Sequence, residues 1–309
     1  MDKRPLISYV VTAYNIERFI EESIQCAFNQ TYSPLEIILS DDFSEDHTYK
    51  IMEKMASAYK GPHTVILNRN SENLGITAHM NKAYMKMAHG ELIVAAHGDD
   101  LSLPERTEKS WEFLSQHKGF TAVSFSMDAI DEQGRPLRQH SAIVDRPHYY
   151  DFQSGGNIPA PSRCFYKSVM EKFGPINQEC PTEDEIISFR SLLMGKNAFL
   201  PEHMVLYRKH SGSSSNPENF DRFPLDKILN QQNTDMKKAV DFGMITEQQR
   251  QEKLTNLERK KRIRGKYRIY YTSRSIPNLW KLIIFKDVNR KQKISYVKEH
   301  IRWILDRMK

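Results

Sequence analysis

The feature that most constrains this chain is an alternation over its first hundred residues. Short apolar runs take turns with helix-patterned stretches, and each run breaks off into polar side chains. ISYVVTAY (residues 7–14) is rich in β-branched and aromatic residues and reads as a strand. A helical stretch over 17–29 follows, with Phe19, Ile20, Ile24 and Phe28 on a common side. LEIILS (35–40) is again strand-like and ends in Asp41-Asp42. Then come a helix from Asp46, a candidate cap, to Tyr59, a strand HTVILN (63–68), a helix over 76–88 and a strand ELIVAAH (91–97). Such alternation predicts a mainly parallel sheet with helices on its faces. Ligands of such sheets bind at the carboxyl ends of the strands. Tyr14-Asn15, Asp41-Asp42, residues 68–73 and Asp99-Asp100 all fall at those ends.

The stretch VAAHGDD (94–100) sharpens the point. Its apolar run stops in a His, a Gly and two adjacent carboxylates, which repel each other unless a positive charge sits between them. Carboxylates gathered from several strand ends suit a hard divalent cation, Mn²⁺ or Mg²⁺, and such an ion commonly bridges phosphate oxygens. The local alternative is that Asp99-Asp100 cap the helix that follows Pro104 or serve its dipole. No GxGxxG follows the first strand and no GxxxxGK[ST] occurs, which argues against dinucleotide and P-loop sites.

Beyond Pro104 the pattern predicts a helix carrying Trp111, Phe113 and Leu114, then a strand over 121–130. Residues 131–165 read as loop-rich. A helix over 184–194 follows the tripeptide TED, and FLPEHMVLYRKH leads into the polar turn SGSSSNPEN. From Pro224 onward the pattern is helical.

These residues, taken in order, resemble the family 2 glycosyltransferases, which have the GT-A fold. VVTAYN matches the family's opening strand and turn, and SDDFSEDHT its D-D-x-S-x-D-x-T stretch. NRNSENLGITAHMNKAY resembles its N-x-G-x-x-x-x-x-N segment, and VAAHGDDLSLPER its DxD-like motif and following Pro. TEDEIISFRSLLMG resembles the ED motif, and VLYRKHSGSSS the Y-R-x-H-x-x-S-x-S segment. Each motif is weak alone; six in the family order, from about Ile7 to Ser215, are specific.

The resemblance implies a Rossmann-like catalytic domain over 1–220, with a nucleotide-sugar-binding half (1–100) and an acceptor and catalytic half (101–220), followed by a helical basic region over 221–309. It implies an inverting hexosyl- or N-acetylhexosaminyl-transferase that uses a nucleotide-sugar donor, expected to be a UDP-sugar, and a divalent metal. Thr12, Tyr14, Asn15 and Asp42 would line the base and ribose pocket, and Asn73 and Asn81 would lie near the donor. Asp99 would be the principal metal ligand, with Asp100 at the donor beside it. His97 stands where the family often has the first Asp of DxD, so its contact is left open between ribose, phosphate and packing. Asp184 is the candidate base for the acceptor hydroxyl, with Glu183 second; the competing role for TED is to cap the helix. His210 is a candidate to complete the metal coordination, and Arg208 or Lys209 to reach a phosphate; Tyr207 is read as a wall. The acceptor would be a saccharide or a lipid-linked saccharide, in bacterial surface polysaccharide biosynthesis.

Charge divides the chain differently. The net charge of +6 conceals 17 Lys or Arg against 3 Asp or Glu from Arg259 to Lys309. KISYVKEHIRWILDRMK places Ile294, Val297, Ile301, Ile304, Leu305 and Met308 at helical intervals, and NLWKLIIFK adds a compact apolar cluster with a Trp. Basic amphipathic helices with Trp suit an anionic membrane surface. The alternatives are packing on the chain's own core or on a second subunit in a homodimer. No nucleic acid is expected, because Tyr267, Tyr270 and Tyr271 interleave with basic residues without forming a recognised motif. No apolar run approaches the roughly 20 residues that cross a bilayer, and MDKRPLISYVV lacks a signal-peptide cleavage site. Cys26, Cys164 and Cys180 lack metal-ligand spacing. The expectation is a cytoplasmic protein, peripheral at the inner face of the membrane. Two rivals remain: another metal-dependent phosphate-handling enzyme, and a catalytically silent nucleotide-sugar-binding protein. Asp99 and Asp184 argue against the second.

Overall fold

The computed structural model describes residues 4–213 and 224–307. The chain forms two compact units, Met1–His210 and Ser211–Lys309. The sequence-based boundary at 220/221 lies outside the described residues, as do Ser214 and Ser215 of the last motif.

The first unit begins with β1 (Ile7–Ala13), every residue of which is buried. It pairs in parallel with β2 (Leu35–Asp41) on one side and β4 (Leu92–His97) on the other, and β3 (Thr64–Arg69) extends the sheet beyond β2. Strands buried on both faces need helices above and below. Here α1 (Ile20–Phe28), α2 (Thr48–Ala58) and α3 (Ile76–Asn81) alternate with them, α3 running on as a π-helical turn over Lys82–Met87. Asp46 does not take the cap position of α2, which falls to His47, yet its Oδ1 accepts from Thr48 N at 2.9 Å. The buried carboxylate of Glu36, on β2, is satisfied by neighbouring chain: it accepts from Ser8 Oγ and from the backbone N–H groups of His89 and Gly90.

The second half is more mixed than the parallel first half. β5 (Leu101–Ser102) and α4 (Arg106–Gln116) precede β6 (Phe120–Ile130); β7 (Pro136–Ala142), β8 (His148–Tyr150) and β9 (Cys164–Tyr166) follow. Then come α5 (Ser168–Phe173), α6 (Asp184–Met194) and β10 (Lys196–Arg208). The strand order is β3-β2-β1-β4-β9-β6-β10-β5, with β7 on β6 and β8 on β10. β9 sits antiparallel between β4 and β6, while β10 runs parallel to β6. The stretch 131–165, read as loop, thus holds two short strands and the start of a third. Three-residue strands such as β8 and β9 are too short to show a period of two.

Parallel register places the site. Ala13 lies beside Asp41, Asp41 beside Arg69, and Thr12 beside His97, so the polar ends of β1 to β4 share one edge. β10 brings the distant chain to the same edge: it pairs antiparallel with β5, directly after Asp99-Asp100.

The second unit holds α7 (Leu225–Asp241), α8 (Glu247–Ser273), α9 (Ile276–Ile283) and α10 (Arg290–Arg307). Thr246 and Gln249 form a reciprocal capping box at the start of α8. Ile263, Tyr270, Leu279, Leu282 and Val288 make a small core. The basic run that starts at Arg259 therefore begins inside α8, and the charge boundary is not a structural one.

Candidate functional site

The β1–α1 turn is laced to the β2–α2 turn. Asn15 N donates to Ser44 Oγ at 2.9 Å, and Glu45 N donates to Asn15 Oδ1 at 2.9 Å. Asn15 holds a left-handed backbone, φ 51°, a conformation Asn tolerates better than most residues. Of the four residues expected in the base and ribose pocket, Tyr14 offers an open ring, 44% exposed, whereas Thr12 is buried and Asn15 is engaged in the turn.

Asp42 is also committed to the protein. Its Oδ1 accepts from Asn70 Nδ2 at 2.7 Å and Leu74 N at 3.0 Å, and its Oδ2 from Gly75 N at 3.0 Å. Gly75 has φ 75°, a conformation in which a side chain would be strained. Asp42 thus shapes the loop over 70–75, and Lys82 Nζ joins it through Asn70 Oδ1 at 2.6 Å. Asn70 and Lys82 both lie within the NRNSENLGITAHMNKAY segment, which assigns neither of them a role of its own. Asn73 accepts from Gly75 N at 2.9 Å. Asn81, expected near the donor, instead clamps the backbone of Ile176: its Nδ2 donates to Ile176 O at 2.7 Å and its Oδ1 accepts from Ile176 N at 2.9 Å.

The acidic centre lies at the end of β4. One ligand atom each from His97, Asp99 and Asp100 lie within 4.8 Å of one another. Gly98 packs closely beneath the turn: a Cβ there would come within 2.5 Å of Ile16 Cδ1 and 2.8 Å of Ile20 Cδ1, so those side chains would have to shift. Asp100 Oδ1 accepts from Arg208 N at 2.9 Å, but its buried Oδ2 has no hydrogen-bond partner. Burial and the neighbouring Asp99 push the Asp100 carboxyl well above the usual range. Burial also pushes Asp99 up, but the hydrogen bond from His210 and the nearby imidazoles outweigh it and leave that carboxyl below its ordinary value. His97 is pulled down by burial against the attraction of Asp99 and Asp184, which favours the neutral, ligating imidazole.

A hard divalent ion fits this set. An imidazole and two carboxylates are a suitable donor mixture, and an orphaned buried carboxylate oxygen is the feature an ion would satisfy. His97 and Asp100, expected at the donor, therefore stand with Asp99 as candidate ligands. His210 faces Asp99 Oδ2 through Nε2 at 3.0 Å, and its ring lies 4.9 Å from that of Phe19.

Arg208, expected to reach a phosphate, is 1% exposed and fully engaged. Its Nε donates to Asp99 O at 3.0 Å, Nη1 to Glu132 O at 3.1 Å and Nη2 to Glu22 Oε2 at 2.6 Å. It braces the turn at Asp99 instead. Lys209 Nζ lies 4.7 Å from the centre of the Tyr207 ring, and burial pulls its pKa down.

α6 begins at Asp184, with Glu183 preceding it. Asp184 Oδ1 accepts from Thr182 Oγ1 and from Glu185 N. Glu183 is 5% exposed, and burial, reinforced by Asp184, pushes its carboxyl to about 7. Arg163, 2% exposed, feels both acids electrostatically. Asp184 is also within electrostatic reach of His97, which ties the ED stretch to the acidic centre across 87 positions of sequence.

A family model described as Glycosyl transferase family 2 matches residues 8–173. The chain is 36% identical over 134 residues to the putative glycosyltransferase EpsE of Bacillus subtilis, which is 43% of this chain and 47% of EpsE; the match thus spans about half of that relative. It is 26% identical over 250 residues to an uncharacterized glycosyltransferase of Haemophilus influenzae, covering 75% of this chain and 74% of the other. Among solved structures it is similar to S. aureus TarS 1-349 in complex with UDP-GlcNAc, with TM-score 0.64 and 19% identity, over 96% of this chain and 80% of that one. At that identity the likeness speaks for the fold.

Proposed function

This chain belongs to glycosyl transferase family 2, and from that premise we propose that it moves a sugar, with inversion, from a UDP-sugar donor to a hydroxyl of a saccharide or lipid-linked acceptor. The observation that carries the proposal is the meeting of His97, Asp99 and Asp100 within 4.8 Å at the strand ends, with Asp184 in electrostatic reach of the same imidazole. A candidate metal-binding set with a helix-start carboxylate in electrostatic reach suits transfer from a nucleoside diphosphate sugar. The UDP part of the proposal is supported by the UDP-GlcNAc bound to TarS.

In this reading Asp184 takes the proton from the acceptor hydroxyl as it attacks the anomeric carbon, and inversion follows from a single displacement. Glu183, buried and held near 7, stands behind it. Tyr14 offers a face for the base, and Asp42 preorganises the loop over 70–75 beside it. Arg208 keeps Asp99 and Asp100 in place. A divalent ion held by Asp99, Asp100 and His97 would supply Lewis-acid stabilisation of the leaving diphosphate. The acceptor class is part of the proposal, and the family relationship supports it. The same proposal makes the basic helices of the second unit a peripheral contact with an anionic membrane.

A thermal-shift screen of UDP-, GDP- and TDP-sugars, with and without Mn²⁺, tests the donor. A ligand stabilises the folded state in proportion to the logarithm of its concentration over Kd. Stabilisation by UDP-sugars that needs Mn²⁺ is the expected result; no stabilisation by any nucleotide sugar would sink the proposal.

A further inference from the structure

Helix α9 carries apolar side chains on both faces. Leu279 and Leu282 pack inward, 9% and 0% exposed, against Ile263, Tyr270 and Val288. Ile276, Trp280 and Ile284 follow one another at four-residue intervals on or just past the helix and are 71%, 61% and 57% exposed. That spacing lines them along one side. The helix start is capped: Ser275 accepts from Asn278 N through its side chain, and a Pro occupies the first turn. On α10, Ile294, Ile301 and Leu305 are 48%, 51% and 54% exposed. Large apolar side chains grouped in this way mark a surface that meets something other than water.

Charge selects the occupant. The segment from Arg259 to Lys309 holds 17 basic and 3 acidic residues, with Lys281 inside α9 and Lys286 just beyond it. Docking this face on a second copy would bring two such segments together, and like charges oppose that. An anionic lipid surface supplies both the counter-charge and an apolar layer for the side chains. An eight-residue helix is about 12 Å long, so the contact lies in the plane of the surface. None of the described helices is long and apolar enough to cross a membrane.

We propose that the outer face of α9, formed by Ile276, Trp280 and Ile284, inserts into the interface of an anionic bilayer while the flanking lysines engage headgroup phosphates. This rests on the peripheral-membrane part of the proposed function and names the face that makes the contact.

The test uses the full chain and vesicles of phosphatidylcholine with and without phosphatidylglycerol. Wild type should sediment with the anionic vesicles at low salt, less so as salt rises, with a blue shift in Trp emission. The triple variant Ile276→Ser, Trp280→Ser, Ile284→Ser should lose at least about tenfold in partitioning, with its melting temperature and its UDP-sugar thermal shift unchanged. If the variant binds vesicles as well as wild type does, the face is wrong while the peripheral reading survives. If wild type ignores anionic vesicles even at low salt, both are wrong. A dimer that the variant disrupts would also overturn the lipid assignment.

Discussion

The imidazole Nε2 of His210 lies 3.0 Å from Oδ2 of Asp99, a contact that spans 111 positions of sequence. It arises because β10 pairs with β5, so the residues just past β10 return to the strand ends where Asp99 sits. The contact holds one oxygen of Asp99, while the adjacent Asp100 keeps an oxygen without a hydrogen-bond partner, 3.8 Å from His97 Nδ1.

Asp99→Asn removes a charged ligand and nearly keeps its shape. Mn²⁺-dependent transfer should fall by at least about a hundredfold. Wild-type turnover that is unchanged after chelation would remove the metal from the mechanism.

Asp100→Asn keeps an acceptor for Arg208 N and replaces the orphaned oxygen with an amide. The chelated variant should be more stable than chelated wild type, by on the order of 1–2 kcal/mol. Its stabilisation by Mn²⁺ should largely vanish. Calorimetry with and without metal checks both, and an equal Mn²⁺ effect in the two proteins would exclude Asp100 as a ligand.

Asp184→Asn should leave UDP-sugar binding intact and lower kcat by on the order of 10² to 10⁴. If turnover survives there and collapses in Glu183→Gln, the base is Glu183.

Glu183 also makes a prediction about pH. Its carboxyl is raised to about 7 from an ordinary value of 4.5, so across that window the folded chain holds a proton that the unfolded chain releases. Stability must therefore fall as pH rises from about 4.5 to 7 and stay lower above it. Glu183→Gln removes this penalty. Its advantage in unfolding free energy should grow from near zero at pH 4 to roughly 2–3 kcal/mol at pH 8. Denaturant titrations at several pH values decide, and a gap that does not change with pH would show that the group is not buried in this way.

Arg208→Lys cannot reproduce a fork that reaches Asp99, Glu132 and Glu22 together. We expect a loss of roughly 3 kcal/mol in stability together with weaker Mn²⁺ binding. Full stability with only a raised KM for donor would instead place Arg208 at a phosphate.

Much of this protein was legible in its sequence. The alternation of strand and helix over the first hundred residues led to the parallel sheet, because a two-sided buried strand and an amphipathic helix leave distinct local patterns. The same reading put Tyr14, Asp42 and Asp99 at strand ends, and α6 starts at Asp184 as the TED stretch suggested. What only the tertiary structure decided was which polar groups remain available. Asp42, Asn81 and Arg208 are expected at the donor from the sequence, and only the structure shows the partners they also have within the chain, Gly75, Ile176 and Glu22, brought to them by folding. His97 and Asp100 gain their place as candidate ligands from the turn at the end of β4, which brings them within 4.8 Å of Asp99. In the basic segment, NLWKLIIFK reads as one apolar cluster, and only the packing divides it into Leu279 and Leu282 within and Trp280 and Ile284 without. The physical reason is common to all of these. Periodicity records which face of an element is buried, whereas the partner of a carboxylate, an amide or a guanidinium depends on chain brought close from far along the sequence, and no local pattern encodes it.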